Sequence, residues 1–76
     1  MDKKIIGHYE NGNIRREVYC FNDKYHREDG PAIIHYYKNG NIKYKTYFIN
    51  GEIYRKNGPA AIYYREDGSI SYEHYY

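Results

Sequence analysis

Leucine and tryptophan do not occur in this sequence, and valine, methionine and cysteine occur once each. A chain of 76 residues buries a small fraction of its surface in any case, so tyrosine and isoleucine must supply most of the burial. A single cysteine, Cys20, excludes an internal disulfide and points to a reducing compartment rather than secretion. No apolar run approaches the length of a membrane span or of a signal-peptide core, so a soluble, cytosolic protein of whichever cell makes it is expected. Helix signals are missing too. No ten consecutive residues escape a Gly or an Asn, and alanine is scarce. A net charge of +2 excludes strong electrostatic steering of any partner.

What is present is tyrosine, 13 residues of it, and turn residues at regular intervals. That aromatic content argues against disorder. Shifted by 28 positions, the chain matches itself: residues 3–30 and 31–58 share 11 identities, and a partial third copy covers 59–76. Asn11-Gly12 meets Asn39-Gly40 and then Asp67-Gly68. Gly30-Pro31-Ala32 meets Gly58-Pro59-Ala60. A fixed period of this kind marks an array in which each unit buries its face on the next, here within one domain, 1–76.

Asn39-Gly40 and Asn50-Gly51 suit two-residue type I′ turns. Glu28-Asp29-Gly30-Pro31 suits a type I turn with Gly30 left-handed. Turns are predicted at 11–12, 22–23, 28–30, 39–40, 50–51, 57–58 and 67–68. Between them lie short runs rich in Ile, Tyr, Phe and Thr with the alternation of half-buried strands. The sequence therefore predicts an all-β fold: an antiparallel β-meander of roughly seven short strands in one elongated layer. Tyr37 is expected opposite Ile42, His35 opposite Tyr44 and Ile33 opposite Thr46. One face then carries Ile5, Tyr9, Ile14, Val18, Cys20, Tyr25, Ile33, Tyr37, Ile42, Tyr44, Phe48, Ile53, Tyr63, Ile70 and Tyr72. The other carries Tyr19, Ile34, Tyr36, Tyr47, Tyr54, Ile62, Tyr64 and Tyr75, with His8, Arg15, His26, Lys43 and Lys45 among them.

Tyr9-Glu10-Asn11-Gly12-Asn13-Ile14 and Tyr37-Lys38-Asn39-Gly40-Asn41-Ile42 resemble MORN-type repeats, in which a Tyr-x-x-Gly hairpin recurs. The chain is closer to the variant form of small bacterial, phage and giant-virus proteins. There a His-Arg-x-Asp-Gly-Pro-Ala segment alternates with the hairpins, as His26, Arg27, Asp29, Gly30, Pro31 and Ala32 do here. The second copy, Tyr54, Arg55, Asn57, Gly58, Pro59 and Ala60, departs at the His and Asp positions. The resemblance covers nearly the whole chain. It implies a single-layer sheet that mediates protein contacts and self-association. It brings no catalytic residues and no cofactor.

The residues agree in offering little chemistry. The four histidines have no metal-ligand spacing. Cys20 stands where the next copy has Phe48, as a small inner-face residue. Most carboxylates fall at turns, where turn chemistry explains them. No Gly-rich loop opens a helix, so a nucleotide site of the usual kind has no support. We therefore expect a non-enzymatic protein-binding module without metal or cofactor: a small stoichiometric inhibitor or adaptor that also self-associates as a homo-oligomer. Its Asn, Lys, Ile and Tyr bias fits an AT-rich genome and a phage or mobile-element source. Tyrosine is a favoured interface anchor, and the expected partner-binding residues are Tyr19, Tyr36, Tyr47, Tyr64 and Tyr75, flanked by Lys43 and Lys45. The alternative is a nucleic-acid or nucleotide binder that stacks bases on the same Tyr/Lys face.

Overall fold

A computed structural model of the chain describes residues 2–75. The strands are β1 (Asp2–His8), β2 (Ile14–Phe21), β3 (Lys24–Tyr25), β4 (Ile33–Tyr36), β5 (Ile42–Thr46), β6 (Phe48–Ile49), β7 (Glu52–Ile53), β8 (Ala61–Tyr64) and β9 (Ile70–His74). All pairings are antiparallel. The main sheet runs β1-β2-β4-β5-β8-β9, with β3 also paired to β2, and β6-β7 form a hairpin of their own. The domain is a slab of 32 × 26 × 14 Å, one sheet thick through most of its area. All seven expected turns are in place.

The meander is folded back at intervals. In the first copy β2 runs on past its pairing with β4, turns at Asn22-Asp23 and pairs its own tip with β3. The chain then crosses residues 26–32 before β4 rejoins β2 at Val18. The second copy repeats this path with its long strand broken at Tyr47 into β5 and β6. The two tips are stitched together. The Gly51 N–H donates to the Tyr25 carbonyl at 2.8 Å, the Arg27 N–H to the Phe48 carbonyl at 3.2 Å, and the Asn50 N–H to His26 Nδ1 at 2.9 Å.

Two of the expected turn types need correcting. At 50–51 both residues have positive φ (50° and 85°), as type I′ requires, and Asn22 and Asp23 do the same. At 39–40 only Gly40 does, at 95°. The loop there is a four-residue turn, with the Gly40 N–H donating to the Tyr37 carbonyl at 3.0 Å. A β-bulge follows, and Ile42 faces Tyr36 instead of Tyr37. The other two predicted pairs, His35 with Tyr44 and Ile33 with Thr46, are present. Tyr37 closes the hairpin instead, its N–H donating to the Asn41 carbonyl at 2.8 Å while its hydroxyl reaches along the rim to the Tyr64 carbonyl at 2.8 Å. Gly30 is the second correction, because it does not take up positive φ, whereas its counterpart Gly58 does, at 135°.

The core sits on both sides of the sheet. Val18, Thr46 and Ala61 are buried on one face, Ile34 and Ile62 on the other, and Ala32 and Ala60 are fully buried at 0% exposure. Ala32 lies between two strands: its N–H donates to Thr46 and its carbonyl accepts from Tyr19. Ala60 does the same between His74 and Tyr47.

Candidate functional site

The Arg-x-x-Gly-Pro-Ala loops decide whether Tyr19 and Tyr47 are open. Arg27 and Arg55 each fold back four residues to donate to the carbonyl of Pro31 or Pro59, both at 3.2 Å. On the way the guanidinium passes over the glycine. A Cβ on Gly30 or Gly58 would stand 3.1 Å or 3.0 Å from it. Each guanidinium then lies on a tyrosine ring, Arg27 on Tyr19 at 4.0 Å and Arg55 on Tyr47 at 4.1 Å. Asp29 adds an ion pair to Arg27 at 3.0 Å, where the second copy has Asn57. The repeated motif is thus a staple that pins each return loop to the sheet.

The expected contact residues are therefore occupied internally. Tyr19, Tyr36, Tyr47 and Tyr64 are half-buried, not exposed, and of the five tyrosines Tyr75 alone is open. Tyr19 also has Lys4 over its ring at 5.3 Å, on the same ring that Arg27 covers. The Tyr36 hydroxyl donates to the Glu17 carboxylate at 3.2 Å, and burial, followed by that carboxylate, pushes its pKa up. Lys45 lies 5.7 Å over Tyr64, and Lys43 lies 5.8 Å over Tyr37.

Two further open rings, Tyr63 and Tyr72, are on the opposite face. The register sets Arg16, His35, Tyr44, Tyr63 and Tyr72 in one transverse row across β2, β4, β5, β8 and β9. Four rings of that row contact in series. His35 stacks on Tyr44 at 4.6 Å and 14°, Tyr44 meets Tyr63 at 5.4 Å, and Tyr63 meets Tyr72 at 5.9 Å. The Tyr72 hydroxyl is 2.8 Å from His74 Nδ1. Exposure rises along the row, with Tyr63 at 42% and Tyr72 at 53%, and Ile70 beside them is at 49%. Tyrosines 44, 63 and 72 were legible as members of this face. Arg16 and His35 were missed, although His35 was already paired with Tyr44 by alternation.

Two groups in this row carry a pH signature. Burial, then the positive charges of Arg16, Lys43 and Arg15, hold the His35 pKa below its ordinary value of 6.5. Burial, then Tyr63 and Tyr25, push the Tyr44 phenol above 10.0. Each group is kept neutral by folding, so the signs differ. For His35 the unfolded chain binds the extra proton, and stability falls as pH drops through 6.5 toward the folded value. For Tyr44 and Tyr36 stability is complete below 10 and falls as pH rises beyond it. The melting temperature is thus expected to decline on both sides of a plateau. His35→Gln should flatten the acid limb, and an unchanged acid limb in that variant would remove His35 as its cause.

Among the described residues no group of three His, Cys, Asp or Glu side chains could hold a metal ion. Cys20 is a free, half-buried thiol. Among the described residues no helix is long and apolar enough to cross a membrane. Comparison with protein families, with curated proteins and with solved structures finds no match.

Proposed function

We propose that the chain is a non-enzymatic protein-binding module, a small inhibitor or adaptor, which engages its partner through the open tyrosine row. The observation that carries this reading is the His35–Tyr44–Tyr63–Tyr72 stack, which ends in two large exposed rings beside exposed Ile70. Rings held by their cross-strand neighbours lose little entropy on contact and present wide area, the properties of an interface anchor. The resemblance to MORN-type repeats points the same way. A second copy of the chain is one partner that this face suits, because a sheet face with exposed Ile and Tyr gains most from a like surface.

The nucleic-acid alternative loses support from the geometry of the Tyr/Lys face. Base stacking needs a free ring face. Tyr19 and Tyr47 already carry Arg27 and Arg55, and those arginines are committed to their loops.

The test is capture of a partner from nuclease-treated lysate, followed by affinity measurement at two salt concentrations. Tyr63→Ala with Tyr72→Ala should weaken binding at least tenfold, about 1.4 kcal/mol or more, and leave the melting temperature near that of the wild type. Affinity should change little with salt, since phosphate contacts are not involved. A folded double variant with wild-type affinity would move the contact surface off this face.

A further inference from the structure

The three rim turns, 9–13, 37–41 and 65–69, are stacked, and the stacking has a direction. The Tyr9 hydroxyl donates to the Tyr36 carbonyl, and the Tyr37 hydroxyl to the Tyr64 carbonyl. Asn11 and Asn13 both donate through Nδ2 to the Lys38 carbonyl, at 3.1 and 2.7 Å. Asn39 and Asn41 donate in the same way to the Glu66 carbonyl, at 3.0 and 2.8 Å. The earlier turn always supplies the side-chain donors and the later turn the backbone acceptors. The orientation of the first amide of each pair is fixed within its own turn, since Asn11 Oδ1 accepts from the Asn13 N–H and Asn39 Oδ1 from the Asn41 N–H, both at 2.9 Å.

The third turn replaces all three cross-turn donors, and the donors it does carry are used within its own hairpin. Arg65 stands in place of the tyrosine, and Asp67 and Ser69 in place of the two asparagines. Arg65 folds onto its own strand and donates to the Ile70 carbonyl at 2.7 Å and to Ser69 Oγ at 3.3 Å. Ser69 donates its N–H and its hydroxyl to Asp67 Oδ1, at 2.9 and 2.7 Å, and these bonds hold the Asp67 carboxyl below its ordinary pKa. The second Asp67 oxygen occupies the place of the amide that would reach across. At the other end, the carbonyls of His8 and Glu10 correspond to the acceptors Tyr36, Tyr64, Lys38 and Glu66. They stand at the edge of β1, which is unpaired on that side among the described residues.

We propose that β1 and the first turn form a docking edge for a strand and turn of the Tyr-x-Asn-Gly-Asn kind carried by another chain. The third turn is a stop that keeps this chain's own β9 from filling that edge in a second copy. The two internal junctions, β2 with β4 and β5 with β8, show how the edge is filled. Continuing their register would set Tyr72 opposite Gly7, Glu73 opposite Ile6 and His74 opposite Ile5 of the next copy. The backbone would fit, but the rim would set the Asp67 carboxylate against the Glu10 carbonyl, oxygen against oxygen. An unpaired strand edge is an aggregation hazard, and an acceptor in place of a donor blocks the propagating geometry while leaving the fold untouched. This inference is independent of the aromatic row.

The test restores the donors. The variant Arg65→Tyr/Asp67→Asn/Ser69→Asn changes only exposed positions. Sedimentation of the variant should show an average mass that rises severalfold with concentration, whereas the wild type stays between monomer and dimer. Wild type added in equimolar amount should shorten the polymers, because it accepts a donor turn at β1 and offers none at β9. Asp67→Asn with Ser69→Asn alone should give the same behaviour at smaller amplitude, and it serves if the triple variant does not fold. Folded variants with the size and concentration dependence of the wild type would overturn the proposal. So would open-ended growth of the wild type, or wild type that joins the polymers without shortening them, which would place the association on the sheet face.

Discussion

Tyr36→Ala combined with Tyr47→Ala is expected to unfold the chain. Truncating a fully buried aromatic costs about 3–5 kcal/mol. These two rings are half-buried, which scales the loss to about 2 kcal/mol each. Tyr36→Ala also leaves Glu17 without its hydroxyl donor, and Tyr47→Ala removes the ring under Arg55. Together they reach about 4 kcal/mol, and a core of this size rarely supplies more than about 3–5 kcal/mol. Urea titration followed by circular dichroism should show no native baseline for the double variant. Tyr63→Ala with Tyr72→Ala, on the open row, should keep a midpoint close to that of the wild type. A double variant at 36 and 47 that unfolds with the wild-type midpoint would show that these rings do not hold the loops, and would return them to the pool of contact residues.

Gly58→Val is expected to be nearly as damaging, and more so than Gly30→Val. The two glycines are equivalent by sequence and crowd their arginines to the same degree, with a Cβ 3.0 or 3.1 Å from the guanidinium. The far end of a flexible side chain can give way, so crowding alone costs little more than the staple it displaces. Backbone conformation separates the two positions. Gly58 has φ of 135°, a region essentially closed to a β-branched residue and worth about 1–3 kcal/mol of strain, whereas Gly30 does not have positive φ. Adding the loss of the Arg55 staple brings Gly58→Val to about 3 kcal/mol. The melting temperatures should rank wild type, Gly30→Val, Gly58→Val in falling order. Equal losses at the two sites would mean that crowding of the arginine, and not φ, sets the cost.

Much of the architecture was decided locally. The spacing of Asn-Gly and Gly-Pro fixes where the chain turns, because few other residues accept those backbone angles, and the alternation between turns fixes strands. The 28-residue period fixes an array, and the absence of helix signals and of Leu leaves a sheet as the remaining way to bury Ile and Tyr. The same rules placed Tyr44, Tyr63 and Tyr72 on one face. Tertiary structure decided what local rules could not reach. What the Asn39 and Asn41 amides reach is the Glu66 carbonyl, 27 residues away from Asn39, and no local rule points to it. The bulge is not their effect, since the third hairpin has the same bulge, with positive φ at Gly68 alone, without them. Which tyrosines are open depends on where two arginines lie. In sequence Arg27 and Arg55 are members of a repeated motif, and only their return over glycine to a proline carbonyl shows that they cover Tyr19 and Tyr47. A turn is chosen by the φ preferences of two or three neighbours, and sequence carries those. A side chain's exposure is set by what folds across it, and that is known only when distant segments have met.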